Sequence, residues 1–357
     1  MTSKIVYVIR ENGASGLNHR KITELTANYH DVEELNLEQA LIAPLSSALM
    51  LIMDVAPDNY NTVIELRKIL KSIDTKEVPI FFILNSMKRG EVMQANTLGA
   101  AEFLSHPIDE KEFHKKLKEI ANNAIEQSWE NLNPTQAAAL KVSLKVFEDT
   151  FDSLKNGGPL PDKEIRESCD LLIKATAGAG IGDMLSAIRT HHNYTYRHSI
   201  MVSGYLVAFA LLLGIKGQDL QNVAVGGILH DIGKSLIPAE ILNKPKALNN
   251  EEWLEICKHP EHSRTILENS TCHKDVINAS IQHHEKLDGT GYPDGLKGDQ
   301  ISDIARMVAI ADVFSGLTEK RSYKDSFSNK KAYDIMLTMD GHLDLDLVAA
   351  FRPIALQ

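Results

Sequence analysis

Two pairs of adjacent ionisable residues, His230-Asp231 and His283-His284, each end an apolar run with helical spacing, and no other feature restricts the fold as much. Imidazoles and carboxylates are costly to bury among apolar side chains unless a metal ion or an opposite charge compensates them. Neighbouring residues on a helix point about 100° apart, so such a pair does not easily chelate one ion but can serve two adjacent ions. Asp231 is the natural bridge, since a carboxylate has two oxygens to share. Further candidates are His198 at the start of an apolar helix, His259 before Pro260, and Asp312 after Val308-Ala309-Ile310-Ala311. Taken singly, His198 and His259 read as core or surface histidines and Asp312 as a helix-end cap. The joint pattern points to metal, and imidazole with carboxylate suits iron, manganese, zinc or nickel better than magnesium or calcium.

The pattern of the chain changes part way along. From Lys4 to about Ala124, short apolar runs alternate with helix-like segments, which predicts a parallel sheet covered by helices. Strands are expected at Ile5–Ile9, Asp31–Leu35, Ala48–Met53, Ile80–Leu84 and Ala101–Leu104, with helices Leu17–Tyr29, Tyr60–Ile73, Met87–Leu98 and Asp109–Ala124 between and after them. A doubly wound α/β unit of this kind carries its ligands at the carboxyl ends of the strands, where Asp54 falls. From Glu126 the strands stop. Thr135–Leu154 reads as a connecting helix, Asn156-Gly157-Gly158-Pro159-Leu160-Pro161 as a mobile joint, and the rest as an all-α domain. Its expected helices are Asp162–Ala175, Gly182–Thr190, Thr195–Leu213, Asp219–His230, Glu251–Asn269, Lys274–His283, Ile304–Leu317 and Lys330–Met339. The expected domains are 1–125, a helical linker 126–161, and 162–357.

Composition narrows the function. A formal net charge of −10 argues against broad binding to DNA, RNA or anionic lipid. The three cysteines, Cys169, Cys257 and Cys272, are odd in number and show no CxxC spacing, so neither a disulfide framework nor a zinc ribbon is expected. The amino-terminal stretch shows no cleavable signal pattern, and the apolar run Val202–Leu213 is interrupted by Gly204 and too short to span a bilayer. A soluble, cytoplasmic protein is the expectation.

The strings HDxGK at His230-Asp231-Ile232-Gly233-Lys234 and HHExxDGxGYP at His283 to Pro293 carry a specific resemblance. From about Tyr194 to Phe351 the chain resembles the HD-GYP family, a branch of the HD metal-dependent phosphohydrolases whose characterised members cleave cyclic dinucleotides, chiefly cyclic di-GMP. The resemblance implies His198, His230, Asp231, His259, His283, His284 and Asp312 as metal ligands, iron as the favoured metal with manganese the alternative, and a hydroxide activated by two metals as nucleophile. It implies that Lys234 pairs with a phosphate oxygen near the metals, on the face of His230 if that helix persists through Gly233. Arg321 and Lys324 match the cations that hold the substrate's phosphates in the family, and a solvated charge cluster is the alternative. Gly289 and Gly291 would shape the substrate-side loop, and Tyr292 would stack on a base or cover the core. This chain also departs from the pattern. Tyr194 stands where members with three metals have a glutamate, which points to two metals here. Ser315-Gly316 replaces a common Asp-Ala pair, Ser322 a usual proline, and Ser263 a usual glycine.

The first half resembles a response-regulator receiver domain, with Asp54 after Leu51-Ile52-Met53 in the place of the phosphoacceptor. Phosphoryl transfer needs a divalent cation held by acidic groups and a cation for the incoming oxygens. Here the first strand leads into Arg10-Glu11-Asn12, His106 stands in place of the lysine, and Asn85 in place of the hydroxyl residue. The half therefore reads as a degenerate receiver used for docking or self-association, and Asp54 reads equally as a strand-end carboxylate or a phosphorylation site. The whole chain is expected to open cyclic di-GMP to pGpG and onward to GMP. The alternative is a catalytically inactive cyclic-dinucleotide receptor that signals to a protein partner through the first domain.

Overall fold

The strands of the first half are short apolar runs, and in the computed structural model they become one parallel sheet: β1 Val6–Arg10, β2 Val32–Asn36, β3 Met50–Asp54, β4 Ile80–Leu84 and β5 Ala100–Ser105, in the order β2-β1-β3-β4-β5. The structure describes residues 5–11, 17–27, 32–71, 73–75, 77–189, 191, 193–242, 244, 248–319 and 326–357. β3 and β4 are buried along their whole length, as a central parallel strand covered on both faces must be. Successive side chains point to opposite faces. Val6, Val8, Ile52, Phe81 and Ile83 enter one core with Phe113 and Leu117, while Tyr7, Ile9, Leu51, Met53 and Phe82 enter the other with Leu66 and Ile69. The expected doubly wound class holds. Strand ends shift by one or two residues, which makes Asp54 the last residue of β3. One turn of helix that was not expected, Leu37–Ala40, follows β2 and is closed by a reciprocal Asn36–Gln39 capping box.

The chain divides into two units, 1–128 and 129–357. The helix Pro134–Lys155, placed in the linker from sequence, belongs to the second unit, where it buries Leu140, Leu144 and Phe147 and where the Tyr196 hydroxyl donates to the Leu140 carbonyl at 2.9 Å. The expected joint turns this helix back onto the helix Asp162–Ala179. Gly157 takes φ 73° there, and the Ser153 hydroxyl donates to the Pro159 carbonyl at 2.9 Å.

The second unit is all-α. The helix Tyr194–Leu212 is apolar nearly all round and is buried accordingly. Gly217–Leu229 packs closely on it, because a Cβ on Gly227 would stand 2.7 Å from the Ser203 Cα. The single helix expected over Glu251–Asn269 is two, Asn250–Ile256 and His259–Leu267. Pro260 explains the restart, since a residue without an N–H fits the first turn of a helix and not its interior. The helix expected over Asp219–His230 is Gly217–Leu229, and it does not persist through Gly233: a 3₁₀ turn, Ile232–Leu236, follows. A Cβ on Gly233 would overlap the His259 carbonyl oxygen and meet the Ser263 N–H at 2.6 Å, so two backbone segments cross where only glycine fits. Helices Lys274–Gln282, Asp303–Thr318 and Asn329–Met336 lie near their expected bounds, and Leu345–Ala355, capped by Asp344, was not foreseen.

Between Gln282 and Asp303 the chain forms a loop without a long helix, held by a buried carboxylate. Glu285 accepts the N–H groups of Asp294 at 2.7 Å and Leu296 at 3.0 Å. Gly289 takes φ 81°, and a Cβ on Gly291 would collide with the Lys286 N–H, so the turn is tight at both glycines.

Gly227→Ala is expected to cost about 1–3 kcal/mol by overpacking two helices. Gly178→Ala, where nothing lies within 4 Å of the new Cβ, should instead gain about 0.4–1 kcal/mol. Urea unfolding monitored by circular dichroism separates the two signs. Glu285→Ala leaves two loop amides without their acceptor, and a loss of about 1–3 kcal/mol is expected. Hydrogen exchange should accelerate at Asp294 and Leu296 while the helix Tyr194–Leu212 stays protected.

Candidate metal centre

Three imidazoles are oriented by the same local device. His230 and His283 follow directly on the ends of their helices, and His259 opens a helix just after another has closed. The last turn of a helix leaves carbonyls without N–H partners. The Nδ1 atoms use them: His230 to the Gly227 oxygen at 2.8 Å, His259 to Ile256 at 2.7 Å and His283 to Ser280 at 3.1 Å. A carbonyl only accepts, so Nδ1 carries the proton and each Nε2 lone pair is turned to the interior.

Those lone pairs meet at Asp231, which is 2% exposed. Its Oδ1 lies 3.2 Å from His259 Nε2 and 3.8 Å from His283 Nε2. Its Oδ2 lies 3.2 Å from His230 Nε2 and 3.9 Å from His198 Nε2. The donor atoms of Asp231, His259, His283 and His284 all lie within 4.8 Å of one another, and so do those of His198, His230 and Asp231. Asp231 is common to both groups. Asp312 adjoins the second through its Oδ1, 2.9 Å from His198 Nε2. All seven residues singled out from sequence therefore come together, from positions as far apart in the chain as 198 and 312.

The donor set fits divalent cations. His230 Nε2 and Asp231 Oδ1 are buried without a hydrogen bond. His259 and His283 face each other Nε2 to Nε2 at 3.3 Å with both protons committed to Nδ1, a contact of two lone pairs that calls for a positive charge beside it. Burial pushes His259 down to about 3 against the pull of Asp231, and it also lowers His283 and His284. These rings are accordingly neutral, which is the ligating form. Burial works against ionisation of Asp231, yet the Lys234 ammonium beside it holds the carboxyl well below the usual range. Asp312 is held low in the same way, chiefly by its hydrogen bond to His198. Burial opposes charging of His198, but hydrogen bonds to Asp312 and Glu319 raise it to about 9.

Lys234 lies on the 3₁₀ turn, so its ammonium reaches Asp231 Oδ2, three residues back, rather than the face of His230. The Tyr292 ring stacks on His284 at 4.8 Å and 24°, and its N–H donates to the His284 carbonyl at 3.2 Å. Gly289 and Gly291 shape the turn that delivers it. Arg321 and Lys324 lie outside the described residues. The sequence reading missed Glu319 and Arg197. Glu319 Oε2 stands 3.0 Å from His198 Nδ1, and its Oε1 accepts from Arg197 Nε at 3.1 Å. The signal was present as spacing: Asp312, Ser315 and Glu319 fall at i, i+3 and i+7 on one face of a helix.

In the first unit Asp54 is buried at the carboxyl edge of the sheet. Its Oδ1 is 3.1 Å from His106 Nε2 and its Oδ2 is 4.0 Å from Arg10 Nε. Arg10 also pairs with Glu34 at 2.8 Å and donates to the Thr23 hydroxyl at 2.7 Å. The chain's own basic groups thus face this carboxylate.

Comparison with known proteins gives a family match to an HD domain over residues 180–347. A cyclic di-GMP phosphodiesterase of Pseudomonas aeruginosa is 37% identical over 168 residues, covering 47% of this chain and 41% of that protein. A 3'3'-cGAMP-specific phosphodiesterase of Vibrio cholerae is 38% identical over 153 residues, covering 43% of this chain and 36% of that protein. A cyclic di-GMP phosphodiesterase response regulator of Xanthomonas campestris is 35% identical over 133 residues, covering 37% and 35%. The chain thus spans less than half the length of these relatives. Residues 180–347 thus match an HD domain, and they follow a first unit with a receiver-like parallel sheet.

Proposed function

We propose that the second unit is a metal-dependent phosphodiesterase that opens cyclic di-GMP to pGpG and carries it onward to GMP. The observation that carries this is the sharing of one buried carboxylate, Asp231, between two groups of imidazole donors. His198 and His230 with Asp231 and Asp312 would hold one cation, and His259, His283 and His284 with Asp231 the other. Two divalent cations, iron first and manganese as the alternative, would supply Lewis-acid stabilisation of the phosphodiester and lower the pKa of water there.

The chain's own residues do the rest. The Nδ1 bonds to backbone carbonyls fix the ring angles, so the donors stand ready without rearrangement. Lys234 places a positive charge at the edge of the centre, where an incoming phosphate oxygen would accept from its Nζ. Tyr292 covers the His284 face and keeps water from it. Tyr194 stacks on His198 at 5.7 Å and 10° where a third carboxylate would otherwise stand, which supports two metals over three. The receiver-like unit would serve docking or self-association, with Asp54 held by Arg10 and His106. Among the described residues no helix is long and apolar enough to cross a membrane.

Purified protein loaded with Fe(II) or Mn(II) should convert cyclic di-GMP to pGpG on chromatography, and 3'3'-cGAMP in parallel tests the choice of substrate. Asp231→Ala should lower turnover by more than about 100-fold, beyond the loss usual for outer partners of a metal site. Tight binding of cyclic di-GMP with no product under any metal would select the receptor. Cations at about 100 times their Kd should raise stability by about 2.7 kcal/mol, and a chelator should reverse the gain in Tm.

A further inference from the structure

His198 differs from the other oriented imidazoles because it lies inside a helix. His230, His259 and His283 anchor Nδ1 on carbonyls left free at helix ends, but at the fifth residue of Tyr194–Leu212 the preceding carbonyls are taken by the helix's own ladder. Its anchor must come from another element. Glu319 supplies it from the end of Asp303–Thr318, with Oε2 3.0 Å from His198 Nδ1. The Glu319 side chain is 1% exposed, and a carboxylate buried that deeply needs a partner. Arg197, the neighbour of His198, gives it one through Nε at 3.1 Å, and is itself held by the His191 carbonyl at 3.0 Å and laid over the Tyr194 ring at 5.1 Å.

We propose that Glu319 is a positioning residue of the metal centre, one that holds the proton of His198 on Nδ1 and turns Nε2 toward Asp231 and Asp312. This assignment rests on the metal-centre reading above. Asp312 accepts from Nε2 in the unloaded ring, and a bound cation would displace that proton; Glu319 accepts from Nδ1–H and cannot donate, so it would keep the other proton on Nδ1 and leave the Nε2 lone pair to the cation. The arrangement is the side-chain counterpart of the backbone anchors used by the other three rings.

Calorimetric titration of the full-length protein with Mn(II) tests it, with Tm recorded for each variant. Glu319→Leu is expected to weaken Mn(II) binding by about 10- to 100-fold, and Glu319→Gln, whose amide oxygen still accepts from Nδ1–H, by about tenfold or less. Ser315 Oγ lies 3.3 Å from the same nitrogen, so Ser315→Asp in the Glu319→Leu background should recover affinity. A role limited to pairing Arg197 would lower Tm without changing affinity. Wild-type affinity in both Glu319→Leu and Glu319→Gln overturns the assignment, as does a loss that Ser315→Asp does not recover. If Glu319→Leu fails to fold, a Glu319→Gln protein of wild-type affinity still overturns it. Should the wild-type protein take up no Mn(II), the metal-centre reading fails and this assignment falls with it; uptake by wild type with unchanged variants fails the assignment alone.

Discussion

The second unit depends on one buried carboxylate. Asp231 is 2% exposed and has four imidazoles and an ammonium around its two oxygens. A lone charge in that position would be expensive to fold around. Surrounded as it is, it fixes how five helical segments meet, because each must bring its imidazole or carboxylate within reach of the centre. The helix breaks fall where the chemistry needs them: Leu229 and Gln282 end their helices just before His230 and His283, and Pro260 restarts one at His259.

Close packing makes that convergence possible. Gly227 lets two helices approach until a methyl group would touch the Ser203 backbone, and Gly233 lets the turn after Asp231 cross the segment at His259. These glycines are set by neighbours far away in the chain rather than by local backbone demands, since neither takes a positive φ. Glu285 performs the matching task for the loop after His284 by satisfying two amides that no ladder serves.

The first unit uses the same chemistry to the opposite effect. There a buried strand-end carboxylate, Asp54, is faced by the Arg10 guanidinium and the His106 ring, so the charge is met by the chain's own side chains. In the second unit the groups around Asp231 are mostly neutral rings with lone pairs turned inward, and the excess of donors over protons leaves room for metal.

Much of this was legible in the order of residues. Continuous apolar runs such as Ile80–Leu84 announce buried strands, helical spacing announces the all-α half, and adjacent pairs such as His230-Asp231 announce a shared centre, because each is a local pattern. The spacing of Asp312, Ser315 and Glu319 was there too, but nothing local says that this face meets His198. Likewise the helix Pro134–Lys155 looks like a connector until Tyr196 is seen bonded to Leu140. Sequence by itself determined the five strands, most of the longer helices and which residue types are available to bind metal, since those follow from neighbours along the chain. Only the tertiary structure decided that Asp231 is shared, that Lys234 pairs with it, and that Glu319 orients His198, because each depends on the distance between atoms that the chain order leaves free.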